Sequence, residues 1–132
     1  MKPHEFREKC RGILPVQFCP YTKDRRSVDL EALETNTRFL VDFAKTGDKD
    51  LVMLTNGSTT EFYANSIEEQ KSVIRTVVDT VSGAIPVIAG VSQAGTAQTI
   101  RMAKYAEEAG ADCVIAVTPY YHTPFKEGLY QH

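Results

Sequence analysis

What the sequence lacks narrows its class before any motif is considered. No apolar stretch approaches the ~18 residues that a membrane span needs; the longest runs, residues 85–91 and 113–117, are strand-sized. Neither sign of charge predominates: the formal net charge is −2 and the pI about 5.9. The longest basic run is the pair Arg25-Arg26, which reads as a solvated turn, so nothing points to nucleic acid or an anionic membrane surface. Cysteine is scarce and odd in number. Cys10, Cys19 and Cys113 show no metal-ligand spacing and no disulfide framework, which favours reduced thiols acting as small apolar residues. The first residues, MKPHEFREKCRG, are too polar for a secretory signal. A cytoplasmic, soluble protein is expected. At 132 residues the chain is long enough for one domain.

What is present is an alternation of short apolar runs with longer segments of helical period. Residues 12–19 (GILPVQFC) read as a first strand interrupted in the middle by Pro15. Over residues 27–45, Leu30, Leu33, Thr37, Leu40, Val41 and Ala44 follow the three-and-four spacing of one buried helical face, and Gly47 supplies a stop. Residues 50–55 (DLVMLT) are a second strand. Ser66 and Glu69 form a capping box, opening a helix with Val73, Ile74, Val77, Val78 and Val81 on one side. Residues 86–90 predict a third strand, 96–109 a helix stopped by Gly110, 112–118 a fourth strand, and 127–132 the start of a further helix. Successive strand starts lie roughly 30–35 residues apart, the size of a βα unit. Strands apolar on both faces predict a parallel sheet covered by helices.

Such a pattern fits either a small doubly wound sheet or half of an eightfold barrel. A doubly wound nucleotide fold should carry a glycine-rich turn after its first strand. Here that turn is Pro20-Tyr21-Thr22-Lys23-Asp24, without glycine. A closed barrel needs ~250 residues, about twice this length. The expected fold is therefore α/β, the first four βα units of a (β/α)8 TIM barrel, truncated. Residues 1–11 would be an N-terminal extension, residues 12–132 the four units with the last helix cut.

Ligands meet such folds at the C-terminal ends of the strands. Two of these ends are rich in hydroxyls. Gly57-Ser58-Thr59-Thr60-Glu61 follows the second strand, and amides beside a glycine turn can hold a carboxylate or phosphate. Serine, threonine and Asn-Gly favour such a turn for conformational reasons alone. Pro119-Tyr120-Tyr121 follows the fourth strand; a tyrosine hydroxyl there can relay protons, and two aromatics can equally cover the barrel mouth or a subunit contact. His122 is a candidate base, although a solvated loop histidine is the simpler reading.

The order of motifs resembles a known family. GSTTE after the second strand, PVIAGV on the third and VTPYYHTPFKEGLYQH after the fourth are similar to the dihydrodipicolinate synthase and N-acetylneuraminate lyase family of class I, pyruvate-dependent aldolases. The resemblance runs from about Gly12 to His132. It implies a (β/α)8 barrel, commonly assembled as dimers and tetramers. It also implies a Schiff base between pyruvate or another 2-keto acid and a lysine on the sixth strand, an aldehyde as second substrate, and no metal or organic cofactor. Ser58 and Thr59 would bind the keto-acid carboxylate, with the Thr59 hydroxyl joining a proton relay. Gly57 would let the backbone approach the ligand. Tyr121 matches the tyrosine that completes the relay across the tight-dimer interface in the synthases.

Several positions depart from the family pattern. Thr60 stands where glycine is usual, implying strain or a changed turn if that position holds positive φ. Cys19-Pro20 replaces Thr-Pro, and Ser58 is closer to the sialic acid lyases than to the synthases. None of the eight lysines falls at a strand's C-terminal end; Lys23 and Lys126, both expected in loops, are nearest. The chain is accordingly expected to be inactive alone. Dihydrodipicolinate synthase is the leading parent activity, with N-acetylneuraminate lyase or a 2-keto-3-deoxy sugar-acid aldolase or dehydratase as alternatives. A non-catalytic half-barrel that associates with a full-length subunit is the alternative of another class.

Overall fold

A computed structural model describes residues 2–47, 49–121 and 124–132. Five helices and three strands follow one another as α1 (Pro3–Lys9), α2 (Leu30–Thr46), β1 (Met53–Thr55), α3 (Ile67–Val81), β2 (Val87–Gly90), α4 (Thr96–Ala109), β3 (Cys113–Ile115) and α5 (Lys126–Gln131). The strands form one parallel sheet in the order β1-β2-β3, with Met53 beside Val87 and Ile88 beside Cys113. Sequence order equals spatial order, as expected of consecutive βα units wound in one direction.

The first expected strand is present as an extended segment without a continuous ladder. Ile13 bridges Leu51 and Val16 bridges Leu54, both in parallel. The Ile13 amide donates to the Asp50 carbonyl and the Gln17 amide to that of Leu54, while the Pro15 and Ile13 carbonyls accept from Leu54 and Val52. Proline has no N–H to offer midway, so the ladder skips a rung. The fourth expected strand, 112–118, shortens to Cys113–Ile115. Beyond Ile115 the backbone leaves its neighbour; the Val117 amide donates instead to the Ser92 hydroxyl at 2.9 Å. The expected N-terminal extension holds a helix, α1, opened by Pro3 and by Glu5 reaching back to the Lys2 amide at 2.9 Å.

Alternate strand residues sort the core. Met53 and Val87 pack with Leu33, Val41, Val73, Val77 and Val81 beneath α2 and α3. Ala89 and Val91 pack with Ile74, Met102 and Ala106 beneath α3 and α4. The helix faces are those expected, with three exceptions: Leu30 is exposed, and Leu40 and Val78 are only half-buried. Ser66 caps α3 as anticipated, its hydroxyl accepting from the Glu69 amide at 3.3 Å while the Glu69 carboxylate accepts from the Ser66 amide at 2.9 Å. Gly110 closes α4 in the left-handed conformation, φ 97°.

The two sides of the sheet end differently from its middle. Val114 and Ile115 on β3 are 43% and 46% exposed, and Ile13 and Phe18 on the first segment 55% and 73%. Both flanks thus present apolar side chains, whereas β1 between them is buried throughout.

Candidate active site

The C-terminal ends of the strands converge on the turn after β1. Asn56 leaves the strand in the left-handed conformation, φ 54°, which asparagine tolerates better than most residues. Its side chain is buried and its Nδ2 donates to the Gly90 carbonyl at 2.7 Å and to Gln70 Oε1 at 3.3 Å. The close approach of Asn56 to β2 is what requires glycine at 90: a Cβ there would lie 2.0 Å from the Asn56 carbonyl oxygen. Gly57 has an ordinary φ of −88°. A Cβ there would meet Val16 Cγ1 at 3.0 Å, a tight contact that Val16 would have to relieve.

Ser58–Thr60 form one turn of 3-10 helix, and Glu61 ends it in the left-handed region at φ 55°. The amides of Thr60 and Glu61 donate to the carbonyls of Gly57 and Ser58, both at 3.0 Å. The Gly57 amide donates to the Thr60 hydroxyl at 3.1 Å. Only the Ser58 and Thr59 amides in this turn lack a partner among the described residues, and both residues are exposed. The turn therefore offers two adjacent N–H donors beside two hydroxyls, a set matched to the two oxygens of a carboxylate.

Thr60 is not the strained residue its β-branching suggested. Positive φ falls on Asn56 and Glu61 instead. Thr60 is buried, and its hydroxyl donates to the Gln17 carbonyl at 2.7 Å. Asn65 braces the same turn: its Nδ2 donates to the Thr60 carbonyl at 3.3 Å and contacts Cys19 Sγ at 3.6 Å, and its Oδ1 accepts from the Tyr21 hydroxyl at 2.7 Å. Gln70 completes the support, donating to the Phe62 and Asn65 carbonyls at 2.9 and 3.0 Å and accepting from Gln93 at 2.7 Å. Burial pushes the Cys19 thiol up from its usual range, and burial together with the neighbouring Cys19 pushes the Tyr21 phenol up to about 12. Both stay protonated near neutrality, so Cys19 is a poor nucleophile and a suitable neutral neighbour for Asn65.

Of the expected site residues, Gly57, Ser58 and Thr59 share the turn. Tyr121 lies on the segment after β3, 82% exposed, whereas its neighbour Tyr120 packs edge-on against Phe62 with ring centroids 5.9 Å apart. His122 lies outside the described residues. Lys23 stands in an exposed turn, and Lys126, expected in a loop, opens α5. The supporting residues Asn56, Asn65, Gln70, Gly90 and Gln93 were not singled out from the sequence. Gln70 had a legible signal, since it falls on the same helical face as Val73, Ile74 and Val77. No group of three or more potential metal-ligating side chains occurs among the described residues, and no helix among them is long and apolar enough to cross a membrane.

Comparison with known proteins places this geometry in context. The chain is 38% identical over 122 residues to the 4-hydroxy-tetrahydrodipicolinate synthase of Methanocaldococcus jannaschii, covering 92% of this chain and 40% of that protein. Its fold superposes on the crystal structure of dihydrodipicolinate synthase from Aquifex aeolicus with a TM-score of 0.82 at 32% identity, covering 92% of this chain and 39% of that one. A catalytic-lysine mutant of the Ruminococcus gnavus sialic acid aldolase superposes with a TM-score of 0.85 at 27% identity, covering 94% and 39%. The chain thus spans about 40% of the length of the curated relatives it matches, and its parallel βα units correspond to part of a TIM barrel. The match to the Dihydrodipicolinate synthetase family extends over residues 9–132, from the end of α1 through the hydroxyl-rich turn to the last helix, and the chain belongs to that family.

Proposed function

We propose that this chain carries the keto-acid-binding part of a pyruvate-dependent class I aldolase or lyase, with a synthase acting like dihydrodipicolinate synthase as the leading activity. The observation that carries this reading is the division of labour in the turn after β1. The amides of Gly57, Thr60 and Glu61 are occupied, and those of Ser58 and Thr59 are left for a ligand. A carboxylate held by these two donors places its 2-keto carbon above the strand ends, where an amine can attack it. Loss of water then gives an iminium, the electron sink for carbon–carbon bond formation or cleavage. The Thr59 hydroxyl joins a proton relay, and Tyr121 contributes its phenol once a second subunit encloses it.

The amine comes from outside the 132 residues described by this sequence. Lys23 and Lys126 both sit in exposed positions. The apolar flanks favour the same reading: Ile13 and Phe18 on one side, Val114, Ile115 and Leu129 on the other, suit further barrel polypeptide packed against each edge. Sialic acid aldolase activity is the second reading, favoured by serine at position 58 and by the likeness to the Ruminococcus protein.

Pyruvate and borohydride treatment followed by intact mass tests this division. The 132-residue chain is expected to keep its mass of 14.7 kDa and to show no turnover with pyruvate and aspartate semialdehyde or with sialic acid. A reduced pyruvate adduct on Lys23 or Lys126, or aldolase turnover by this chain alone, contradicts it.

A further inference from the structure

Asn56 and Gly57, which open the turn after β1, carry a chemistry that ligand binding does not use. Of the three asparagines, Asn36, Asn56 and Asn65, only Asn56 precedes glycine. A peptide nitrogen can attack the side-chain carbonyl carbon of a preceding asparagine, and glycine hinders that attack least because no Cβ crowds its amide. Here the Gly57 nitrogen would form a bond to Asn56 Cγ. Its proton passes through solvent to Nδ2, which leaves as ammonia, and a cyclic imide closes. Water then reopens the ring at either carbonyl. The product is aspartate at position 56, or isoaspartate with the main chain routed through the side chain. The net change is NH2 for OH, with no oxidant or reductant involved.

The closed turn opposes each part of that reaction. The Gly57 N–H, on the attacking nitrogen, donates to the Thr60 hydroxyl at 3.1 Å. The leaving group, Asn56 Nδ2, donates to the Gly90 carbonyl at 2.7 Å and to Gln70 Oε1 at 3.3 Å, two acceptors that fix which end of the amide is nitrogen. Negative charge would gather on Oδ1 during the attack, yet that atom is buried and has no donor among the described residues, so the charge finds no stabilisation there. The products would not fit the closed turn. A carboxylate at position 56 would set acceptor against acceptor at Gly90 and Gln70 in buried surroundings, and isoaspartate would lengthen the main chain just ahead of Gly57. We propose that Asn56-Gly57 is a latent deamidation site kept intact by the hydrogen bonds that build the turn, so that each opening of the turn risks its irreversible loss. The guard does not depend on which ligand the turn holds.

Peptide mapping after incubation at mildly alkaline pH tests the proposal, comparing the folded chain with the same chain unfolded in guanidinium chloride. In the unfolded chain Asn56 should convert to aspartate and isoaspartate before Asn36 and Asn65. In the folded chain its conversion should be at least about tenfold slower, and slowed by the same factor as hydrogen exchange of the Gly57 amide, since both need the turn to open. Gln70→Leu takes one acceptor from Nδ2 and should speed conversion in the folded chain by about threefold or more. Equal rates in the folded and unfolded wild-type chain would overturn the proposal. So would a Gly57 amide that exchanges freely while Asn56 stays intact; neither result needs a variant to fold. A folded Gln70→Leu chain that converts no faster than wild type would refute the hydrogen bonds as the guard. Conversion of Asn36 or Asn65 first in the unfolded chain would remove the latent site itself.

Discussion

Asn56 and Glu61 bracket the ligand turn with left-handed backbone, and what lies between them is held by two backbone hydrogen bonds together with the Thr60 hydroxyl and the Asn65 amide. At this scale Gly90 is a tight constraint on the turn. Adding a Cβ 2.0 Å from a backbone oxygen forces the main chain to move, so Gly90→Ala should cost about 3 kcal/mol in urea-unfolding free energy and displace the turn. A loss below about 1 kcal/mol would show that β2 and the turn are not locked together. Cys19 gives a second check. Its raised pKa leaves less thiolate at any given pH than a free thiol would have, so iodoacetamide at pH 8 should modify the exposed Cys10 well before Cys19. Peptide mapping that found Cys19 alkylated first would contradict the packing drawn around Asn65. The same shifts fix a sign for stability. The folded chain holds the Cys19 and Tyr21 protons more tightly than the unfolded chain, whose values are 9.0 and 10.0. Their contribution is therefore complete below about pH 9 and is lost as pH rises towards the folded Tyr21 value of about 12.

Among the elements, α3 shows how far local rules carry. Ser66, Glu69 and the valine stripe were readable because capping and the 3.6-residue period act within a few residues of sequence. Ser66→Ala should cost about 1 kcal/mol, measured by thermal or urea unfolding. Part of that cost depends on pH. Glu69 is held below the usual carboxylate range by its bonds from the Ser66 hydroxyl and amide, so its contribution is present above about pH 4.5 and fades as pH falls through its lowered value. A Ser66→Ala penalty equal at pH 7 and at pH 3 would exclude that coupling. Pro15 was legible too, as a weakness in the first strand, and the structure shows its consequence as a missing rung between two bridges. The turn after β1 was legible as a hydroxyl-rich binding segment but not in its construction. Its residues are fixed by partners far along the chain, Thr60 by Gln17 and Asn56 by Gly90, 43 and 34 positions away. Nothing local in the sequence announces such pairs. The truncated β3 escaped for a related reason: residues 116–118 have strand-like composition but no ladder partner among the described residues beyond Ile115.

For the whole molecule, a sheet buried at β1 and apolar at both flanks fits the family match. The repeat of βα units and the parallel order were readable because each unit announces itself by period and turn. The exposed edges were foreseeable only from the count of units, since edge exposure depends on what packs alongside. Exposed Phe18, Val114 and Ile115 beside open strand edges predict self-association, so gel filtration of the isolated chain should give a species larger than 14.7 kDa or progressive aggregation. A stable monomer would mean that the flanks are not docking faces.

The most direct test of the central claim is a pyruvate titration of the 15N-labelled chain followed by amide chemical shifts. The Ser58 and Thr59 amides should move together and saturably, with smaller changes at Gly57 and Thr60, because only the first pair is free to meet a carboxylate. Shifts confined to another surface, or none at these two amides, would remove the turn after β1 from the binding site and with it the proposed function.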